Sequence, residues 1–221
     1  MLDMSRPESW RRVIASYVPP KSLTRRTRAA LNGLGYRIVP AATRGRFDDD
    51  TWEPDIRLVD EQHLDRLPAE TYLPRIPIVV LTGSRPLPCH DPRVVGSIPR
   101  LATLERLYPI LQSALEDHPR GTARAATQIQ ARCTHADRRW SGALVSLSQE
   151  GCLFRSGEAM AEGLELNMLF PLPLGRMVST RARVVSRHGE LVGMQFTSQA
   201  ETIRNAVGEY VEVRLATHPL A

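Results

Sequence analysis

Apolar residues in the first half of this chain gather in short runs separated by helical patterns, whereas in the second half they alternate one by one with polar residues. Runs flanked by helices predict strands of a parallel sheet; alternation predicts strands with one buried face. Val13-Ile14-Ala15 reads as a first strand and Tyr36-Arg37-Ile38-Val39 as a second. Pro54-Asp55-Ile56-Arg57-Leu58-Val59-Asp60, Ile76-Pro77-Ile78-Val79-Val80-Leu81-Thr82 and Val94-Val95-Gly96-Ser97-Ile98-Pro99 give three more. Between the first two strands, Ser22 is an expected N-cap for a helix whose Leu23, Ala30, Leu31 and Leu34 share a face, with Gly33 and Gly35 as the stop. Residues 83–92 hold Pro86, Pro88 and Pro92, so the helix before the fifth strand should be short or missing. A last helix over residues 104–117 aligns Leu104, Tyr108, Leu111 and Leu115, with a kink expected at Pro109. These elements predict a small α/β domain over residues 1–117.

His118-Pro119-Arg120-Gly121-Thr122 is polar, contains proline and glycine, and reads as a linker. Beyond it the period becomes two. Ile129, Ala131 and Cys133 alternate with polar neighbours, as do Ala143, Val145 and Leu147. Leu164, Leu166, Met168 and Phe170 continue the pattern, followed by Val178, Thr180, Ala182 and Val184, then by Val192, Met194 and Phe196. Several short strands at this spacing indicate an antiparallel barrel. Ser198-Gln199-Ala200-Glu201 then reads as a capping box opening a helix with the stripe Ile203, Ala206, Val207, Tyr210 and Val211. Residues 118–221 are thus a second, mainly β domain.

Hydrophobic residues at 42% and charged residues at 24% suit globular domains, and no apolar run reaches the ~18 residues of a membrane span. The N-terminus lacks a basic segment followed by an apolar core, so a cytoplasmic location is expected. Cys89, Cys133 and Cys152 have no CxxC spacing, and the six histidines have no HxxxH spacing, so neither a disulfide framework nor a metal site is indicated. No serine has a nucleophile-elbow context, and no catalytic residue, metal or cofactor is expected. Asp48-Asp49-Asp50 reads as a solvated loop. The net charge of +5 is carried almost wholly by arginine, Lys21 being the only lysine. Arginine suits bidentate contact with phosphates and guanine edges. Without an aromatic-interleaved basic stripe or a recognition helix, nucleic acid is not the expected partner.

Three pieces of the second half occur in a particular order: Arg120-Gly121-Thr122-Ala123-Arg124, then Ser146-Leu147-Ser148-Gln149-Glu150-Gly151, then Gly193-Met194-Gln195-Phe196. The set resembles the PilZ domain, a bacterial receptor for cyclic di-GMP, whose signature is RxxxR, [DN]xSxxG and a late strand with Gly-x-x-Phe. Ser146 departs from it, standing where the family has Asp or Asn. The resemblance implies a barrel with a packed C-terminal helix, and a cyclic di-GMP site made of Arg120, Arg124, Ser146, Ser148 and Gly151.

The third to fifth strands of the first half resemble those of a response-regulator receiver domain, with Asp60 at the phosphoacceptor position and Thr82 at the switch hydroxyl. After the first strand the receiver pattern has an acidic pair; here the chain reads Ala15-Ser16-Tyr17-Val18. No lysine follows the fifth strand either. Charge on a transferring phosphoryl group would have little to neutralise it. The resemblance therefore implies a pseudo-receiver with Asp60 as a vestigial phosphoacceptor. The stripe of its last helix serves either its core or, as in the receiver family, a homodimer face.

Arginine can pair with phosphate oxygens and with guanine O6 and N7, and its flat face stacks on bases. Ser148 offers a hydroxyl, and Gly151 allows a turn or a close approach. The expectation is a non-enzymatic effector that binds cyclic di-GMP and passes the change through the pseudo-receiver to a protein partner in motility or surface behaviour. The alternative is a degenerate PilZ adaptor that has lost the nucleotide and works through protein contacts alone.

Overall fold

A computed structural model describes residues 12–41, 54–67, 76–83, 91–117 and 119–217. The chain divides into two compact units, residues 1–121 with 215–221, and residues 122–214.

In the first unit the runs become parallel strands β1 (Arg12–Tyr17), β2 (Tyr36–Pro40), β3 (Ile56–Asp60), β4 (Ile78–Thr82) and β5 (Val94–Pro99), in the order β2-β1-β3-β4-β5. That order reverses between β1 and β3, the arrangement of a doubly wound sheet whose carboxyl ends open at the switch point. The runs lack alternation because the three central strands are buried on both faces. On one face Ile14, Ile38, Leu58 and Val79 share an interior space with Leu23, Leu107 and Leu111. On the other, Ala15, Tyr17, Val59 and Val80 pack with Leu64 and Leu67.

Helix α1 (Arg25–Gly33) starts two residues later than Ser22 would place it. Thr24 is the N-cap, its hydroxyl accepting from Thr27 N–H at 3.0 Å, while Pro20–Ser22 forms a 3-10 turn. Pro20 sits at the start of that turn, where its fixed φ and missing donor favour a local turn. Helix α2 (Leu104–Leu115) runs unbroken through Pro109. Its Leu104, Leu107, Tyr108 and Leu111 are buried in the unit, so the stripe serves the core. Arg12 ties β1 to the end of α2, donating to the Leu115 carbonyl at 2.7 Å and pairing with Glu116 at 3.3 Å. Residues 84–90 of the proline-rich stretch, Cys89 among them, and Asp48-Asp49-Asp50 lie outside the described residues.

The second unit is a closed barrel of β6 (Ala125–His135), β7 (Arg138–Ser148), β8 (Gly151–Arg155), β9 (Glu165–Pro171), β10 (Met177–His188) and β11 (Leu191–Ser198), in the order β10-β11-β8-β7-β6-β9. Closure pairs every strand on both sides and removes the exposed edges. The alternation on β9 and β10 points Leu166, Met168, Phe170, Val178, Thr180, Ala182 and Val184 inward.

Two details differ from the sequence reading. On β7 the buried residues are Trp140, Leu144, Leu147 and Ser148, not the series Ala143, Val145 and Leu147. The register slips between Leu144 and Ser146 against β8, leaving Val145 as an extra residue that exchanges the two faces. Strand β8, Gly-Cys-Leu-Phe-Arg, has no clean alternation and was not among the expected strands, yet Phe154 on it is fully buried.

Helix α3 (Glu201–Thr217) follows the barrel. Ser198 is the last residue of β11 and not the cap: its carbonyl accepts from Thr180 Oγ1 at 3.0 Å, and the first helical bonds run to the Ala200 carbonyl. A residue still in the β ladder cannot also open the helix. Within the barrel unit, Ala206, Val207 and Val211 are the buried part of the expected stripe.

Candidate nucleotide site

Strand pairing brings most of the candidate residues to one corner of the barrel. Ala125 pairs with Leu147 and Ala126 with Ser146, so Arg124, one residue before β6, falls opposite Ser148. Ser148 pairs in turn with Gly151 across the β7–β8 turn. Arg124 is exposed, and it makes no hydrogen bond or ion pair with a described residue. Its charge reaches the Cys152 thiol beside Gly151. Burial pushes that thiol's pKa up, Cys133 adds to the rise and Arg124 opposes it.

Ser146 is half-buried at the bulge and makes no side-chain hydrogen bond with a described residue. Bulges re-aim side chains, and this one sets the direction of Ser146.

Ser148 and Gly151 do structural work. The Ser148 hydroxyl is buried and donates to the Gly151 carbonyl at 3.1 Å, stapling the turn from inside. A β-carbon on Gly151 would run into the Met194 carbonyl oxygen, which is backbone and has no room to yield. The glycine is required by the close approach of β11 and not by a positive φ, since it is absent from the residues with left-handed backbone.

Strand β11 carries the Gly-x-x-Phe motif, and its pairing explains why that motif travels with the turn. Gln195 pairs with Gly151, and the Phe196 N–H donates to the Glu150 carbonyl at 2.8 Å. Phe196 also stacks on Phe170, ring centroids 6.4 Å apart.

Gln149, inside the turn, was not singled out by sequence. Its side chain is buried and donates to the Arg204 carbonyl of α3 at 3.4 Å, above Gly208, where a β-carbon would meet its amide. An isolated glycine within a helical stripe was the available signal. Thr127 and Tyr210 hydroxyls meet at 2.8 Å beside it.

Arg120 belongs with the first unit. Its side chain is exposed and its N–H donates to Gln112 Oε1 at 3.2 Å, while Gln112 Nε2 donates to the Tyr36 hydroxyl at 2.8 Å. The chain at Arg120 is therefore pinned by a hydrogen bond. Burial, before any other cause, raises the Tyr36 pKa to about 12.

At the carboxyl ends of the parallel strands, Asp60 is buried and held from two sides. Arg100 donates to both carboxylate oxygens, at 3.1 and 2.9 Å, and the Gln62 N–H caps one of them at 3.1 Å. Burial works against the charged form, but the Arg100 hydrogen bonds, the Gln62 N–H and the charges of Arg100 and His63 outweigh it and lower the Asp60 pKa. Glu61 joins the cluster, accepting from Arg100 at 3.4 Å and from the Gly83 N–H at 2.8 Å. Thr82 donates to the Ile98 carbonyl at 3.4 Å. Arg100, just past β5, is a cation that a search for lysine overlooks.

Among the described residues, no cluster of three or more His, Cys, Asp or Glu is placed to hold a metal ion, and no helix is long and apolar enough to cross a membrane.

Comparison with known proteins gives a family match, to the PilZ domain over residues 117–213. No curated protein matches the chain. Among solved structures, the chain is similar to the PilZ domain with c-di-GMP of YcgR from Escherichia coli, at 14% identity and TM-score 0.39 over 44% of this chain and 92% of that one. It is also similar to the PilZ domain of CeSA from a cellulose synthesizing bacterium, at 15% identity and TM-score 0.34 over 38% and 90%. A third, the Bacillus subtilis inhibitor of motility MotI/DgrA, has 16% identity and TM-score 0.38 over 42% of this chain. The alignment spans about half, 49%, of that protein's length. With the family match covering the closed barrel, most of its helix and all three signature motifs, residues 117–213 are a PilZ domain.

Proposed function

We propose that this protein is a non-enzymatic receptor in which the PilZ domain binds cyclic di-GMP through Arg120, Arg124 and Ser146, on a turn built by Ser148 and Gly151. The observation that carries this reading is the register that sets an exposed Arg124, without an ion pair to any described residue, opposite the Ser148–Gly151 turn. A guanidinium there can chelate a phosphate or a guanine edge, and the half-buried Ser146 hydroxyl beside it can reach a base. Calorimetric titration of the full chain with cyclic di-GMP tests it. Heat that saturates is expected; none at about 100 μM ligand on folded protein would reject it.

Ser146 sets the expected strength. A carboxylate at that position accepts from guanine N1–H and N2–H together, and a hydroxyl reaches only one. Losing a bidentate base contact costs about 1–3 kcal/mol, or roughly 5- to 150-fold in affinity. The reading is therefore a weak receptor.

A second reading, an adaptor without nucleotide, is favoured by the same serine together with the Ser148 hydroxyl already being spent on the Gly151 carbonyl. The titration separates the two.

For the first unit, the strand order β2-β1-β3-β4-β5 and the placing of Asp60, Thr82 and Arg100 at the strand ends support a pseudo-receiver that hands the signal to a protein partner. Motility or surface behaviour is the process the PilZ family implies.

A further inference from the structure

Register sets five residues of the barrel corner in one row across the strands. Arg124 lies opposite Ser148, Ser148 pairs with Gly151, Gly151 with Gln195, and Gln195 with Arg183. Gln195 is exposed and its neighbour Met194 is buried, so the Gln195 amide faces out of the barrel. That side chain makes no hydrogen bond with a described residue. Between it and Arg124 no side chain reaches outward, because the Ser148 hydroxyl is turned to the Gly151 carbonyl and Gly151 has none. Beyond it, Arg183 is engaged by Glu165, to which its Nε donates at 3.1 Å. The row therefore offers the Arg124 guanidinium at one end and a neutral amide toward the other.

Ser146 stands on the next row, paired with Leu153. Leu147 after it is fully buried, so the Ser146 hydroxyl faces the same side as Gln195. Hydroxyl and amide share a property that a carboxylate lacks: each both donates and accepts.

These groups match two different bases. A guanidinium has donors only and fits guanine, whose O6 and N7 both accept; the N6 amino group of adenine would turn another donor toward it. An amide fits adenine, donating to N7 and accepting from N6. The N1–H and N2–H of guanine are two donors side by side, and they call for the carboxylate that position 146 lacks. We propose that the ligand this site prefers is the mixed cyclic dinucleotide of guanine and adenine, cyclic GMP–AMP, held with guanine toward Arg124 and adenine toward Ser146 and Gln195. The proposal rests on reading this corner as a cyclic dinucleotide site, and it names which one. Ser146 is then a change of specificity, and weak binding of cyclic di-GMP is its consequence.

Calorimetric titration of the full chain with cyclic GMP–AMP, cyclic di-GMP and cyclic di-AMP tests the proposal. Cyclic GMP–AMP is expected to bind tightest, about 5- to 150-fold tighter than cyclic di-GMP, the range for one bidentate base contact. Cyclic di-AMP, which loses the guanine contact to Arg124, should be weaker by a similar factor. Gln195→Ala should remove the advantage of the mixed ligand and leave the affinity for cyclic di-GMP unchanged, a split that a general loss of structure does not produce. Ser146→Asp should reverse the order in favour of cyclic di-GMP. Cyclic di-GMP that binds the wild-type chain as tightly as cyclic GMP–AMP overturns the proposal and leaves the receptor reading standing. So does a Gln195→Ala chain that weakens both ligands equally, or neither. No heat from any of the three at about 100 μM on folded protein overturns both.

Discussion

The N–H of Phe196 donates to the carbonyl of Glu150 at 2.8 Å, stitching the strand of the late Gly-x-x-Phe motif to the turn of the Ser-x-Ser-x-x-Gly motif. Two motifs far apart in the chain are thus one piece of backbone. Their joint presence reports a folded corner, on which a ligand site can be built but which is itself a packing arrangement.

Gly151→Ala is accordingly a stability variant. Its β-carbon meets the backbone of Met194, and overpacking of this kind costs about 1–3 kcal/mol. Ser148→Ala should cost about 1–3 kcal/mol for the buried acceptor left without its donor. Urea unfolding measures both. A loss of nucleotide binding in either variant without a loss of stability would contradict this assignment.

Arg124→Ala should abolish cyclic di-GMP binding while leaving the urea midpoint within error, because the side chain is exposed and makes no described hydrogen bond. Arg120→Ala is expected to do the same. Ser146→Asp should strengthen binding by about 5- to 150-fold. Calorimetry on all three decides whether the serine is a tuned weakness: a Ser146→Asp chain that still shows no heat marks a lost pocket.

The Asp60–Arg100 pair makes the first unit sensitive to acid. The folded Asp60 pKa lies below its ordinary value, so the unfolded state binds the proton first as pH falls. The stabilisation is present above the unfolded carboxylate pKa of about 3.9 and is lost as pH drops through the folded value. Arg100→Ala should raise the Asp60 pKa and move acid unfolding to higher pH, read by circular dichroism.

Both Asp60 oxygens are occupied by Arg100, and no carboxylate follows β1 to hold a metal. Acetyl phosphate should therefore leave no base- and hydroxylamine-labile label that Asp60→Ala removes. Label present on the wild-type chain and absent from that variant would restore a phosphoacceptor role.

Cys133 and Cys152 should resist alkylation at neutral pH until the barrel unfolds. Burial raises the Cys133 pKa to about 12 and pushes Cys152 up as well, so the reactive thiolate is scarce. Peptide mapping after a short iodoacetamide pulse checks this, and fast modification of either in folded protein would show that the barrel opens.

The sequence disclosed elements wherever side-chain pattern and backbone geometry share a period. The apolar runs of β1, β3 and β4 and the alternation of β9 and β10 announce whether one or both faces are buried. The failures have local causes. A bulge at Val145 exchanged the faces of β7, β8 was too short and too uniformly apolar to alternate, and Ser198 and Ser22 resembled helix caps while serving in a strand and a 3-10 turn.

By itself the chain determined two domains of different class, the PilZ signature and the identity of every residue in it, because these rest on spacing and residue type. Tertiary structure decided what those residues do: Arg100 found Asp60, Gln149 found Arg204, and Met194 made residue 151 a glycine. Each of these pairs is joined by strand register or packing across a long stretch of chain. Local periodicity carries no record of which distant backbone will arrive, so only the closed barrel and the ordered sheet could assign those partners.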